Sequence, residues 1–137
     1  MLLQGRSLPA SLINKPARLD AAEWELMRGH PEQGVALLRE THWTDPTVIE
    51  ITHAHHERLD GSGYPRGLSG AAVPLGARIV AICDAYDAMT TDRAYQAALR
   101  GIDAFKIIKV NERGKYDDRL VDRFVRAMVD PASASFA

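Results

Sequence analysis

The sequence predicts an all-α protein. Apolar residues recur at helical spacing in successive segments, helix-capping residues stand at the starts of those segments, and no segment alternates apolar and polar residues with period two. The 137 residues, 46% hydrophobic and 26% charged, match one ordinary globular domain rather than two or a disordered chain.

The elements follow in order. Residues 1–19 hold Pro9 and Pro16 and read as irregular. Asp20 is an N-cap with Glu23 three residues on, a capping-box pattern for a helix over 21–29 with Trp24 and Met27 inward. A second helix starts near Pro31, whose fixed φ suits a first turn, and points Val35, Ala36 and Leu38 inward. Thr41–Pro46 turns the chain, and Pro46 opens a third helix through Val48, Ile49 and Thr52 to about Glu57. Residues 58–73, with four glycines and Pro65, form an ordered loop. Pro74 precedes the most apolar helix, 75–90, with Leu75, Ile79, Ile82 and Tyr86 on one stripe. Short helices near 94–100 and 102–110 follow. Asp117 or Asp118 then caps a last helix with Leu120, Val121, Phe124, Val125 and Met128 inward, and 131–137 reads as a flexible tail.

Several classes of protein are set aside. A formal net charge of −1 lacks the basic footprint of a general DNA or RNA binder, so any phosphate recognition must be local. No apolar stretch approaches the roughly 20 residues of a membrane span. Met1–Arg6 makes a poor signal peptide, and the lone Cys83, inside the apolar run 77–83, reads as a small buried residue in a reducing cytoplasm. A cytoplasmic location is the expectation.

The stretch from His55 to Arg93 carries the chemistry. His55 and His56 stand where the third helix meets its loop; neighbours on a helix point about 100° apart, so they meet one metal only if the helix is ending, and otherwise serve different metals. His30 lies at a junction before Pro31, while His42 and His53 read as ordinary surface or core histidines. Asp84 falls within an apolar run, and a buried carboxylate must be protonated, bound to metal or paired, with Arg78 or Arg58 the partners at hand. Asp87, one turn on, shares its face and suits a supporting hydrogen bond or proton transfer. In the loop, Gly61 and Gly63 permit backbone geometry closed to other residues and Tyr64-Pro65 stiffens the exit, so Tyr64 can meet a base or ribose. An arginine fork such as that of Arg93 suits phosphate oxygens.

His55-His56-Glu57-Arg58-Leu59-Asp60-Gly61-Ser62-Gly63-Tyr64-Pro65 resembles the signature of the HD-GYP family, a branch of the HD-domain metal-dependent phosphohydrolases. The likeness continues through His30-Pro31-Glu32, Arg78–Ile82 and Asp84–Arg93, more loosely at Gly114-Lys115-Tyr116-Asp117, and spans roughly residues 9–128. It implies an all-helical domain with a divalent metal centre, iron or manganese, that hydrolyses cyclic di-GMP. Carried over by position, His30, His55, His56 and Asp84 match metal ligands. Arg93 matches a residue gripping substrate phosphate, and Tyr64 and Pro65 match the namesake loop.

The likeness has gaps. Met1-Leu2 stand where the family's His-Asp pair is expected, Gln4-Gly5 where its Gly-Lys is expected, and Gln96 where a second basic residue is expected after Arg93. Residues 1–130 therefore read as a partial, truncated HD-GYP-like domain. Without the pair's carboxylate, the expectation is one ion or a weak site, with hydrolysis slow or absent. The alternatives are a non-catalytic module, binding nucleotide or docking a diguanylate cyclase domain through Gly61–Pro65, and a remnant of a longer gene. Apolar faces near 48–57 and 75–90, left uncovered by missing preceding helices, would drive homo-oligomer formation or partner docking.

Overall fold

The computed structural model describes residues 8–92 and 97–130. Among them every regular element is helical: α1 (Ala10–Ile13), α2 (Ala21–Arg28), α3 (His30–Glu40), α4 (Pro46–Ala54), a 3₁₀ turn (Gly70–Ala72), α5 (Leu75–Thr90), α6 (Gly101–Lys106) running into a π turn (Ile107–Asn111), and α7 (Asp118–Val129). One isolated antiparallel bridge, Asp60 to Ser69, closes the loop between α4 and α5. The all-α expectation holds. No described helix is long and apolar enough to cross a membrane.

The caps read from sequence are present. Asp20 accepts from the Glu23 amide while Glu23 accepts from the Asp20 amide, the reciprocal box that starts α2. Pro46 stands in the first turn of α4 as expected, and the structure adds Asp45 as its cap, through the amides of Thr47 and Val48. Asp117 caps α7 through the amides of Arg119 and Leu120.

Small residues bring α3, α4 and α5 together. A Cβ on Gly34 of α3 would stand 2.9 Å from the Thr52 methyl of α4, and one on Gly76 of α5 would overlap the Ile51 side chain. Ala54, Val73 and Ala77 form a fully buried cluster at this seam, with Leu59 and Leu68 against it. A second core joins α5, the π turn and α7 through Ile82, Ile108 and Val121. Above it, Tyr86 stacks on Phe105 with ring centres 4.8 Å apart, and both meet Phe124 edge-on.

Several expectations are corrected. On α5 the inward stripe is Ala77, Ala81, Ile82, Ala85, Tyr86 and Met89; Leu75 and Ile79 are 61% and 45% exposed. The helix turns its small residues to α4, because a close approach buries more backbone and neighbouring surface than a bulky stripe held at a distance. That rotation also exposes Cys83 and Asp84, so neither is the buried group expected. Trp24 is 46% exposed and Met128 lies outward too, whereas Phe105 of α6 fills the core instead. Residues 1–19 include the short α1, and α4 stops at Ala54, three residues before the expected end. Of the helix expected at 94–100, residues 94–96 lie outside the described residues and 97–100 are irregular, tied back by Leu99 N–H to Met89 O at 2.8 Å. The tail at 131–137 is likewise outside the described residues.

Of the two apolar faces expected to be uncovered, the one on α5 is exposed at Leu75, Ile79 and Val80, whereas near 48–57 Val48, Ile49 and Ile51 are half-buried. The corrected stripe has a direct test. Ile82→Ala should lower unfolding stability by about 2–5 kcal/mol through an unfilled core space, while Ile79→Ala should change it by less than about 1 kcal/mol. Urea denaturation of both variants measures the contrast; equal losses would restore the stripe read from sequence.

Candidate metal centre

The early end of α4 builds the site. His55 is the C-cap of α4 and His56 the next residue, so the chain turns between two imidazoles that a continuing helix would splay apart. His30, first residue of α3, reaches them from the antiparallel neighbour. One ring nitrogen from each of His30, His55 and His56 lies within 4.8 Å of the others, the one cluster among the described residues that could hold a metal ion.

The tautomers follow from the backbone. His30 Nδ1 is 2.7 Å from Met27 O, and His55 Nδ1 is 2.8 Å from Thr52 O. A carbonyl oxygen only accepts, so each Nδ1 carries a proton, and in its neutral form each ring presents a bare Nε2. Those two Nε2 atoms face each other at 3.1 Å. Lone pairs at that separation repel unless a proton or a metal ion lies between them. Protonation is opposed at His55, whose pKa is lowered by burial first and then by the neighbouring His30 and Arg58. It is opposed more strongly at His56, where burial, followed by His55, His30 and Arg58, pushes the pKa down to about 3. Two nitrogens about 2.1 Å from one ion, at roughly right angles, stand about 3 Å apart. The donor set therefore fits a divalent cation, with Nδ1–H anchored on main-chain carbonyls as metal-binding histidines require.

The other sequence-selected residues fall as follows. Asp84 is exposed and outside the trio, yet its charge is felt by both His55 and Tyr64. It pairs with neither expected arginine. Arg78 is engaged by Asp117 at 3.3 Å and by Val73 O, and Arg58 by the carbonyls of His55 and Glu57 and by the Tyr116 ring. Asp87 is exposed, its carboxylate accepting from the Thr91 hydroxyl at 3.3 Å. Tyr64 lies flat on His56, ring centres 4.8 Å apart and planes at 19°, and is joined to Pro65 by a cis peptide bond. Arg93 and Gln96 lie outside the described residues.

Sequence reasoning missed what holds the loop. Glu57 is only 2% exposed, and its carboxyl accepts from the amides of Arg66 at 2.7 Å and Leu68 at 2.9 Å. Gly63 is the other fixture: a Cβ there would sit 2.5 Å from Glu57 Cα and from His56 O, so only glycine lets the loop lie against the histidine turn. Tyr64 N–H then donates to His56 O at 3.2 Å. The available signal was a glutamate followed by a glycine-rich segment, whose buried amides need an acceptor from somewhere.

Comparison with known proteins places this geometry. A family model described as HD domain matches residues 2–120. The cyclic di-GMP phosphodiesterase PA4108 of Pseudomonas aeruginosa is 35% identical over 122 residues, covering 89% of this chain and 29% of that protein. The cyclic di-GMP phosphodiesterase response regulator RpfG of Xanthomonas campestris is 40% identical over 123 residues, covering 88% and 32%. The 3'3'-cGAMP-specific phosphodiesterase 2 of Vibrio cholerae is 43% identical over 91 residues, covering 66% and 17%. Among solved structures, Bd1817, described as a HDG"Y"P protein from Bdellovibrio bacteriovorus, superposes with a TM-score of 0.65 over 83% of this chain and 36% of its own length. At 23% identity that likeness concerns the fold. The chain belongs to the HD domain family. It spans about a third or less of the length of these curated relatives.

Two outcomes are expected here. Glu57→Gln replaces one acceptor oxygen by a donor, leaving a loop amide unpaired. It should cost about 1–3 kcal/mol in urea denaturation and weaken metal affinity in parallel; unchanged stability would dismiss the clamp. The metal-free chain should also lose stability as pH falls from about 6.5, the ordinary histidine value, toward 4.5. In that window the unfolded chain takes up a proton at His56 that the folded chain, with its depressed pKa, does not. His56→Gln should flatten that part of the stability–pH curve; an unchanged slope would contradict it.

Proposed function

We propose that this chain binds a divalent metal ion, iron or manganese, through His30, His55 and His56, and receives a phosphodiester of cyclic di-GMP there. The observation that carries the reading is the 3.1 Å approach of two Nε2 atoms whose rings are both fixed by Nδ1–H bonds to carbonyls. Relatives named for hydrolysis of cyclic di-GMP and of 3'3'-cGAMP support the substrate class.

When bound, such an ion supplies Lewis-acid stabilisation of charge on phosphoryl oxygens and an acidified water. The chain's own residues do the rest. Three neutral imidazoles hold the ion without cancelling its charge. Asp84, whose charge already reaches His55, is assigned as the carboxylate donor. Tyr64, fixed flat on His56, and Pro65 form the wall against which substrate rests. Arg93 is assigned to a phosphate oxygen. Asp87, exposed and one turn from Asp84, is assigned to take or return a proton through water.

Among the described residues the trio is a single cluster, and Asp84 stands outside it. For these residues alone we therefore propose one ion per chain and slow hydrolysis. The second reading, a nucleotide-binding or partner-docking module without turnover, rests on the same observation. Both are tested on the purified chain loaded with Mn²⁺ or Fe²⁺, with bound metal counted by elemental analysis and cyclic di-GMP followed by calorimetry and product chromatography. One ion, saturable binding and slow release of linear product are the expected results. Arg93→Ala should weaken nucleotide binding about 10-fold or more, the worth of a charge-assisted pair. Binding without product selects the second reading. Two or more tightly held ions would refute the single-ion assignment, and no affinity for cyclic di-GMP would refute the substrate.

A further inference from the structure

Trp24 has no structural reason to be where it is. Helical spacing puts it on the stripe of Met27, yet it is 46% exposed, and α2 fully buries no residue. Its ring meets Tyr64 with centres 6.0 Å apart and planes at 73°. Trp24 also lines a shallow recess with Arg18, Leu19, Asp20 and Ala21. Because Tyr64 lies flat on His56, aromatic surface runs unbroken from the imidazole trio, across Tyr64, to Trp24. One turn further along α2, Arg28 sets its guanidinium carbon 5.8 Å from the Tyr64 ring centre. The ion pair Arg28 makes, to Glu25 at 3.7 Å, joins two side chains 45% and 73% exposed, so it holds the guanidinium weakly.

Resting on the cyclic-dinucleotide reading above, we infer that α2 supplies the base-recognition platform of this centre, Trp24 stacking on a purine base and Arg28 reading its guanine edge. A nucleotide with its phosphate at the imidazoles must lay its base at least one ring-width away, and the aromatic surface at that reach is Trp24, beyond Tyr64. An exposed indole gains by covering its face with a flat base, and such stacking accepts any base. Selectivity then falls to Arg28. Guanine offers O6 and N7 as adjacent acceptors to an arginine fork, whereas adenine sets an amino donor at the first position. The nearby Tyr64 ring favours a guanidinium lying over its face.

The chain has two tryptophans, Trp24 and Trp43, so a Trp43→Phe chain reports from Trp24 alone. In that background, loaded with Mn²⁺, cyclic di-GMP should quench the emission saturably and inorganic phosphate should not. Trp24→Ala should weaken cyclic di-GMP binding by about 5- to 100-fold, the worth of one stacked base, while Mn²⁺ and inorganic phosphate affinities stay within about 2-fold. Trp24→Phe should recover most of the loss, and Leu26→Ala, an equally exposed change on the same helix, should cause none. Arg28→Ala should shrink the preference for cyclic di-GMP over cyclic di-AMP by about 10-fold. The platform is refuted if the parent binds cyclic di-GMP while Trp24 emission stays constant, or if Trp24→Ala binds it as tightly. A parallel fall in phosphate affinity would equally refute it, exposing Trp24 as a support for the loop. A parent that binds Mn²⁺ but no cyclic di-GMP overturns the nucleotide reading and the platform with it.

Discussion

One buried carboxyl organises the functional end of this domain. Glu57 accepts two main-chain amides from the far arm of the 58–73 loop, and so pins Arg66 and Leu68 beneath the turn that carries His55 and His56. Without that acceptor the loop would leave two part-buried amides without their protein partner, the kind of loss a small domain tolerates poorly. The clamp has geometric consequences on both sides. It lets Gly63 touch the histidine turn, which lays Tyr64 on His56, and it leaves Leu59 and Leu68 packed on the Ala54–Val73–Ala77 cluster. Loop, core and imidazoles form one unit.

Two features of the centre reinforce each other. Main-chain carbonyls choose the tautomers of His30 and His55 and turn both Nε2 atoms inward. Burial lowers the pKa of His55 and His56, because their charged forms would lose hydration. Three crowded ring nitrogens that face one another could hold a cation. Asp84 on the exposed side of α5 adds negative potential without joining the trio.

The packing of α5 shows why helix existence was legible and helix rotation was not. The apolar period of Leu75–Thr90 signals a helix from the sequence alone. Which side faces inward depends on its neighbours, and Gly34, Gly76, Ala54 and Ala77 let α3, α4 and α5 approach so closely that the small side wins. Leu75 and Ile79, stronger by hydrophobicity, are left outside.

The sequence by itself determined the helical class, the cap at Asp20, a cap at Asp117 or Asp118, the ordered glycine-rich loop, and the three histidines, because caps, periods and turn residues act through neighbours within a few positions. The family likeness read from residues 55–93 belongs to the same category, since it rests on residue order alone. Tertiary structure decided how far α4 runs, which stripe of α5 is buried, where Asp84 stands relative to the trio, and that Glu57 is a clamp. Each of these is settled by contacts between residues distant along the chain, such as Arg78 with Asp117 or His30 with His55, and no local pattern encodes the distance between them.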